Sequence, residues 1–196
     1  MKQVVLFIVL GLGLKQAFPQ NNPANLSCVL RSNQPVYSAG EIPQFEVRII
    51  NNSPEAVYLP GCLDGSDMKW RYPYCYFTIE KPVADTPWIN RCGTLNRIRA
   101  EDIRLVKPGE SFNPFDTIDL YGFFSDYAAG NPETFKFPGT YKIRFHYSTM
   151  VKNLSDYNQA RMKSGEIKLQ PAISIILNKV PKVELTSNEI VIRIRE

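Results

Sequence analysis

Phe137-Pro-Gly-Thr-Tyr-Lys-Ile-Arg-Phe-His-Tyr-Ser148 opens on a proline-glycine turn and runs straight into strict alternation. Tyr141, Ile143, Phe145 and Tyr147 share one face, and Lys142, Arg144, His146 and Ser148 share the other, the two-residue period of a half-buried β-strand. A lone ribbon would leave its apolar face wet, so this strand requires partner strands and a second layer to cover them.

Working outward, the same rhythm recurs. Leu26 to Leu30 starts a first strand, and Gln34 to Glu41 reads as a turn. Phe45, Val47 and Ile49 alternate with Glu46 and Arg48 until Asn51-Asn52-Ser53-Pro54 ends the run. A short strand is expected over Ala56 to Leu59, then one through Tyr72, Tyr74 and Tyr76, whose alternate positions Cys75, Phe77 and Ile79 are also apolar. Ile103 and Leu105 lead to the turn at Pro108-Gly109-Glu110, and Phe112 to Leu120 is expected to return as a strand. The last strand is expected over Glu189 to Glu196, with Ile190, Ile192 and Ile194 inward. Between them, about residues 150–185, lies a long insertion: Ser155 is placed to cap a short helix over Asp156 to Lys163, and Ile173 to Leu177 is an apolar run between Pro171 and Pro181. Seven to nine strands with turn signals at this spacing predict an all-β fold, an antiparallel immunoglobulin-like two-sheet sandwich with the insertion before its last strand.

At 196 residues, with 15 prolines and 12% aromatic residues, the chain suits one domain with many turns and a core large enough to stand without metal. Residues 1–20 read as a signal peptide, with Lys2, the apolar run Val4 to Leu14 and a polar exit at Gln16 to Gln20, leaving one sandwich domain over 21–196. The run is short for a membrane span, so cleavage is expected rather than a transmembrane anchor, and the mature protein is expected to be secreted or periplasmic. The formal charge of +4 falls to +2 when Lys2 and Lys15 leave. Basic and acidic residues are interleaved throughout, which argues against nucleic acid as a partner.

In an exported chain, Cys28, Cys62, Cys75 and Cys92 are expected to form disulfides. Cys62 with Cys92 is favoured because both lie beside glycine in loops. Cys28 and Cys75, in strand-like runs, either form a second pair or stay as buried thiols. The spacing holds no Cys-x-x-Cys and the chain has one histidine, so no metal and no cofactor are expected.

The order of Tyr37-Ser-Ala-Gly-Glu41, Phe45-Glu-Val-Arg-Ile-Ile-Asn51, Leu105-Val-Lys-Pro-Gly-Glu110 and Pro138-Gly-Thr-Tyr-Lys-Ile-Arg-Phe145 resembles the layout of secreted bacterial immunoglobulin-like sandwiches, including small domains similar to bacterial intracellular proteinase inhibitors. The resemblance covers about residues 26–196 and implies a sandwich and an inhibitory loop, such as Asp64 to Lys69 or Asp85 to Asn90. The export signal, the cysteines and the insertion depart from that pattern.

No catalytic constellation is visible. His146 is placed by alternation on an outward face, and nucleophile, zinc-helix and phosphate-loop motifs are missing. Asp64, Asp67, Asp116, Asp119 and Asp126 are the carboxylates a hydrolase would draw on. Asp64-Gly-Ser-Asp67 reads as a turn bonded to its own backbone rather than a calcium loop. The stronger feature is aromatic: Trp70, Tyr72, Tyr74, Trp88, Phe123 and Phe124 are the expected binding residues of a non-catalytic module that contacts protein or glycan. A sandwich-type protease inhibitor is the alternative, with a carboxylate hydrolase behind it.

Overall fold

The structure, a computed structural model, describes residues 24–83, 97–116, 132–158 and 169–196. The expected signal peptide, Trp88, Cys92, Asp119, Phe123, Phe124, Asp126 and the loop 85–90 lie outside the described residues.

The described chain is built mainly of strands: β1 (Leu26–Ser32), β2 (Val36–Ser38), β3 (Phe45–Asn51), β4 (Val57–Pro60), β5 (Tyr74–Glu80), β6 (Ile103–Val106), β7 (Ser111–Phe112), β8 (Gly139–Ser148), β9 (Glu184–Thr186) and β10 (Ile190–Arg195), with one short helix, α1 (Pro171–Leu177). One sheet has the order β1-β3-β7, the second the order β2-β10-β8-β5 with β9 also on β8, and β4 pairs with β6 apart from both. Inward side chains of the two main sheets meet in one core. Leu26, Leu30, Val47, Ile49 and Phe112 come from the first sheet, and Phe77, Tyr141, Ile143, Phe145, Tyr147, Ile192 and Ile194 from the second. The alternation of β8 is therefore realised as read: Tyr141, Ile143, Phe145 and Tyr147 are at most 1% exposed.

Three expectations are corrected. The segment Gln34 to Glu41 holds a strand as well as a turn, since β2 runs parallel to β10 with Tyr37 opposite Ile194, so the sheets are not wholly antiparallel. Tyr37 is 3% exposed and seals the core there. In the strand expected over Phe112 to Leu120, β7 ends at Phe112, because Pro114 has no amide to donate and the Asn113 side chain accepts the Phe115 amide at 3.1 Å, turning the chain; residues 117–120 lie outside the described residues. The expected cap at Ser155 is displaced: a 3-10 turn covers Leu154–Tyr157, and the Asp156 carboxylate accepts the amides of Lys152 and Asn153 at 3.1 and 3.0 Å.

The insertion packs on a core of its own. Val151, Tyr157, Ile173, Leu177 and Val180 cluster with Leu63 and Ile98, with Tyr58, Tyr72 and Ile103 against them. The apolar run Ile173 to Leu177 is the buried stripe of α1, whose first position is Pro171, where a missing amide costs nothing. The chain returns to the sheet at Glu184, so the final strand is interrupted: β9 covers one half of β8 (Thr186 opposite His146) and β10 the other (Ile190 opposite Ile143).

Ser187 and Asn188 bridge the interruption. Ser187 donates its amide to the Phe145 carbonyl at 2.9 Å and accepts the Phe145 amide on Oγ at 2.9 Å. The Asn188 side chain then accepts the Leu30 amide at 2.9 Å and donates to the Leu30 carbonyl at 3.0 Å, so it replaces a neighbouring strand for one residue of β1. Asn188→Ala is expected to lower the unfolding free energy by about 1–3 kcal/mol, since it strips both partners from a largely buried peptide group. Denaturant titration at constant m-value measures it.

Candidate functional site

The loop from Gly61 to Pro73 leads into β5 and carries Lys69 and Tyr72 to the aromatic side chains on the outer face of the second sheet. Its first half is a closed turn. Ser66 Oγ accepts the Leu63 amide at 2.9 Å, the Lys69 amide reaches the Ser66 carbonyl at 3.3 Å, and the Trp70 amide reaches the Gly65 carbonyl at 2.9 Å. Lys69 ends the turn in the left-handed region, φ 56°, a conformation that costs a residue with a Cβ about 1–2 kcal/mol. The consequence is directional: its ammonium lies 3.8 Å from the centre of the Tyr76 ring.

Beneath that cation the sheet register takes over. β5 and β8 pair Tyr76 with His146, and the two rings stack at 4.7 Å between centroids and 13° between planes. Both imidazole nitrogens have hydroxyl partners, Nε2 to Thr78 Oγ1 at 2.9 Å and Nδ1 to Thr186 Oγ1 at 3.1 Å. Lys69 and His146 thus both lie against the Tyr76 ring. Two residues back, Tyr74 stacks on Tyr72 at 3.8 Å and 17°, and Tyr72 meets Tyr157 of the insertion edge-on at 6.4 Å. Trp70, Tyr72, Tyr74 and Tyr76 are all half-buried, while Cys75 and Phe77 point into the core. The double aromatic character of β5 is resolved in this way: one face fills the sandwich, the other makes an aromatic column on the outside of the sheet.

Charge surrounds the column. Arg144 pairs with Glu189 at 2.9 Å and Lys142 with Glu80 at 3.1 Å farther along the same face, lining a shallow depression with Thr78. Burial, followed by the positive charges of Lys69 and Arg144, lowers the His146 pKa below its ordinary 6.5. Folding therefore favours the neutral ring. As pH falls, the unfolded chain binds the proton first, so this contribution to stability is complete above about pH 6.5 and is lost as pH drops through the folded-state value. Since the chain has one histidine, a single imidazole signal will titrate below 6.5 by NMR, and His146→Gln is expected to flatten the fall in Tm between about pH 7 and pH 5.

Under the loop, Arg71 is fully buried and donates from Nε to the Tyr157 carbonyl at 2.8 Å. Burial lowers its pKa to about 10 against the opposing pull of Asp102 and Asp64. Asp102 is itself 3% exposed and accepts the Arg99 amide at 2.7 Å. Arg71 therefore joins the site loop, the approach to β6 and the insertion.

Of the residues expected to bind, Tyr72 and Tyr74 stack at this end of the sheet and Trp70 is half-buried two residues before Tyr72; Trp88, Phe123 and Phe124 lie outside the described residues. Lys69, His146 and Thr186 join the site through cross-strand register and backbone turning. Outward alternation marked His146, but only the pairing of distant strands puts it under Tyr76. Of the carboxylates, Asp64 acts electrostatically on Arg71 and Asp116 is an exposed acceptor for Asn113 Nδ2 at 2.9 Å, while Asp119 and Asp126 lie outside the described residues. Among the described residues, no three His, Cys, Asp or Glu side chains lie close enough to hold a metal ion. The loop Asp64 to Lys69 is a folded turn with Gly65 and Ser66 buried and Lys69 exposed. No helix among the described residues is long and apolar enough to cross a membrane.

Cys28, Cys62 and Cys75 are free, buried thiols in this structure, and Cys92, the expected partner of Cys62, lies outside the described residues. Burial pushes the Cys28 thiol up to about 12, leaving almost no thiolate.

No protein family, curated protein or solved structure matches this chain.

Proposed function

We propose that the chain is an exported, non-catalytic binding module of immunoglobulin-like form, and that it holds a protein partner on the aromatic end of its second sheet. Two observations support the immunoglobulin-like reading. The sheet orders β1-β3-β7 and β2-β10-β8-β5, with β2 parallel to the last strand, follow the division of such sandwiches into two sheets. At the start of β8 the Tyr141 hydroxyl donates to the Phe137 carbonyl at 2.8 Å, the tyrosine corner of that fold. Export rests on Lys2 and the apolar run Val4 to Leu14.

The observation that carries the binding reading is the column Tyr72, Tyr74, Tyr76 and His146 on the outer face of a sheet whose inner face already fills the core. Half-buried tyrosines with a charged rim are the composition of protein contact surfaces. A protein is favoured over a glycan because Lys69 and His146 both lie against the Tyr76 ring and compete with a sugar for its faces.

Capture from an envelope extract by the immobilised mature chain, beside a glycan array, tests this. The expected result is a partner that binds wild type and is lost at least tenfold with Tyr74→Ala or Lys69→Glu, both folded by circular dichroism. Glycan binding with no protein captured would reassign the ligand, and a partner indifferent to both substitutions would move the site elsewhere.

A further inference from the structure

The buried cysteines are left unused by the proposed contact surface, and two of them are neighbours. Register places Cys75 of β5 opposite Tyr147 of β8, and the Tyr147 hydroxyl donates to the Pro60 carbonyl at 2.8 Å. On the other side, the Cys75 amide donates to the Ser66 carbonyl at 3.1 Å, and Ser66 is bonded back to Leu63. The chain before Cys62, at Pro60, and after it, at Ser66, is thus tied to the rung of the sheet that holds Cys75. Both thiols are 0% exposed in the same core, and Cys62 directly precedes Leu63, whose amide is held by Ser66, the residue whose carbonyl takes the Cys75 amide. Cys28 lies on β1, in the other main sheet.

We propose that Cys62 and Cys75 are the cross-linking pair of this chain, forming a disulfide that staples the loop bearing Lys69, Trp70 and Tyr72 when the protein folds in the presence of a disulfide oxidant. With glutathione disulfide as that oxidant, one cysteine thiolate attacks a glutathione sulfur and one glutathione thiol leaves. The second cysteine then attacks the mixed disulfide and releases the other. Two S–H bonds are lost, one S–S bond forms, and the two electrons and two protons end on the two glutathione thiols. Complete burial, which holds the Cys75 thiol well above its ordinary pKa, shuts the folded protein to this exchange, so the bond forms during folding. The inference stands on core geometry and is independent of what the aromatic column binds.

The test is refolding of the reduced chain in glutathione buffer, alkylation of remaining thiols, and tryptic mapping. Trypsin cuts after Lys69 and Arg71, so the two cysteines leave on different peptides. A cross-linked peptide pair containing Cys62 and Cys75 is expected, together with a Tm roughly 5–10 °C higher oxidised than reduced, for a closed loop of this length. A link from Cys62 to Cys92 or from Cys28 to Cys75, or four alkylated cysteines, would overturn the proposal. Because Cys62 and Cys75 are fully buried and substituting either alters the core, the deciding variant is Cys28→Ala/Cys92→Ala, which keeps the pair. It is expected to retain both cross-link and Tm difference, and their loss in that folded variant would equally overturn it.

Discussion

Arg71→Met is expected to lower the unfolding free energy by about 3–5 kcal/mol, the range for breaking one side of a buried ionic group. The guanidinium lies at 0% exposure and reaches the Tyr157 carbonyl at 2.8 Å, so its loss unpins the 3-10 turn of the insertion from the site loop. It also removes the positive charge between Asp102 and Asp64. Asp102 keeps its contacts with Arg99 but remains at 3% exposure with its charge less compensated. A methionine of similar length fills the space, so the loss reports charge and hydrogen bonding rather than a cavity. Adding Asp102→Asn to the variant should then recover part of the loss, and the double-mutant cycle in urea measures the coupling. A single-variant effect below about 1 kcal/mol would mean that the guanidinium does not hold these segments together.

Phe145→Ala should cost a similar amount, about 3–5 kcal/mol, by the cavity mechanism. Phe145 is 0% exposed, its ring lies 5.0 Å from Phe77 and 5.5 Å from Phe115, and it is the middle of the inward row of β8. Its backbone is bonded on both sides of the peptide to Ser187, which restrains the relaxation that would shrink the hole. The upper part of the range is therefore expected. Val191→Ala, at a 55% exposed position on β10, should stay within about 0.5 kcal/mol in the same denaturant series. Equal effects at the two positions would contradict the assignment of inward and outward faces.

Those faces were the most legible part of the chain. From Tyr141 to Tyr147 and from Ile192 to Ile194, a period of two with one side apolar leaves a single way to bury the strand, and the structure adopts it. Where a segment is too short to show a period, the pattern is silent. Val36–Ser38 is three residues beside Pro35, and its partner is more than 150 residues away, so nothing local announces β2. The end of the strand at Phe112 did have a local cause in Asn113-Pro114, which outweighs the apolar residues after it. At the site, alternation exposed Tyr72, Tyr74 and Tyr76 as a row, but the cation above and the imidazole below depend on a left-handed residue and on strand register, neither of which composition encodes. For the cysteines the sequence offers less: proximity to glycine says where a loop is, whereas what lies beside Cys75 is set by how the loop folds back on β5.

The Asn188 amide at Leu30 has a consequence between molecules as well as within one. β1 is the outermost strand of its sheet, and an outermost strand with free peptide groups is a template on which a second chain can add a strand of its own. By occupying both the N–H and the C=O of Leu30, one side chain blunts that template at its most apolar point. A single carboxamide thereby takes the place that an intruding chain would need.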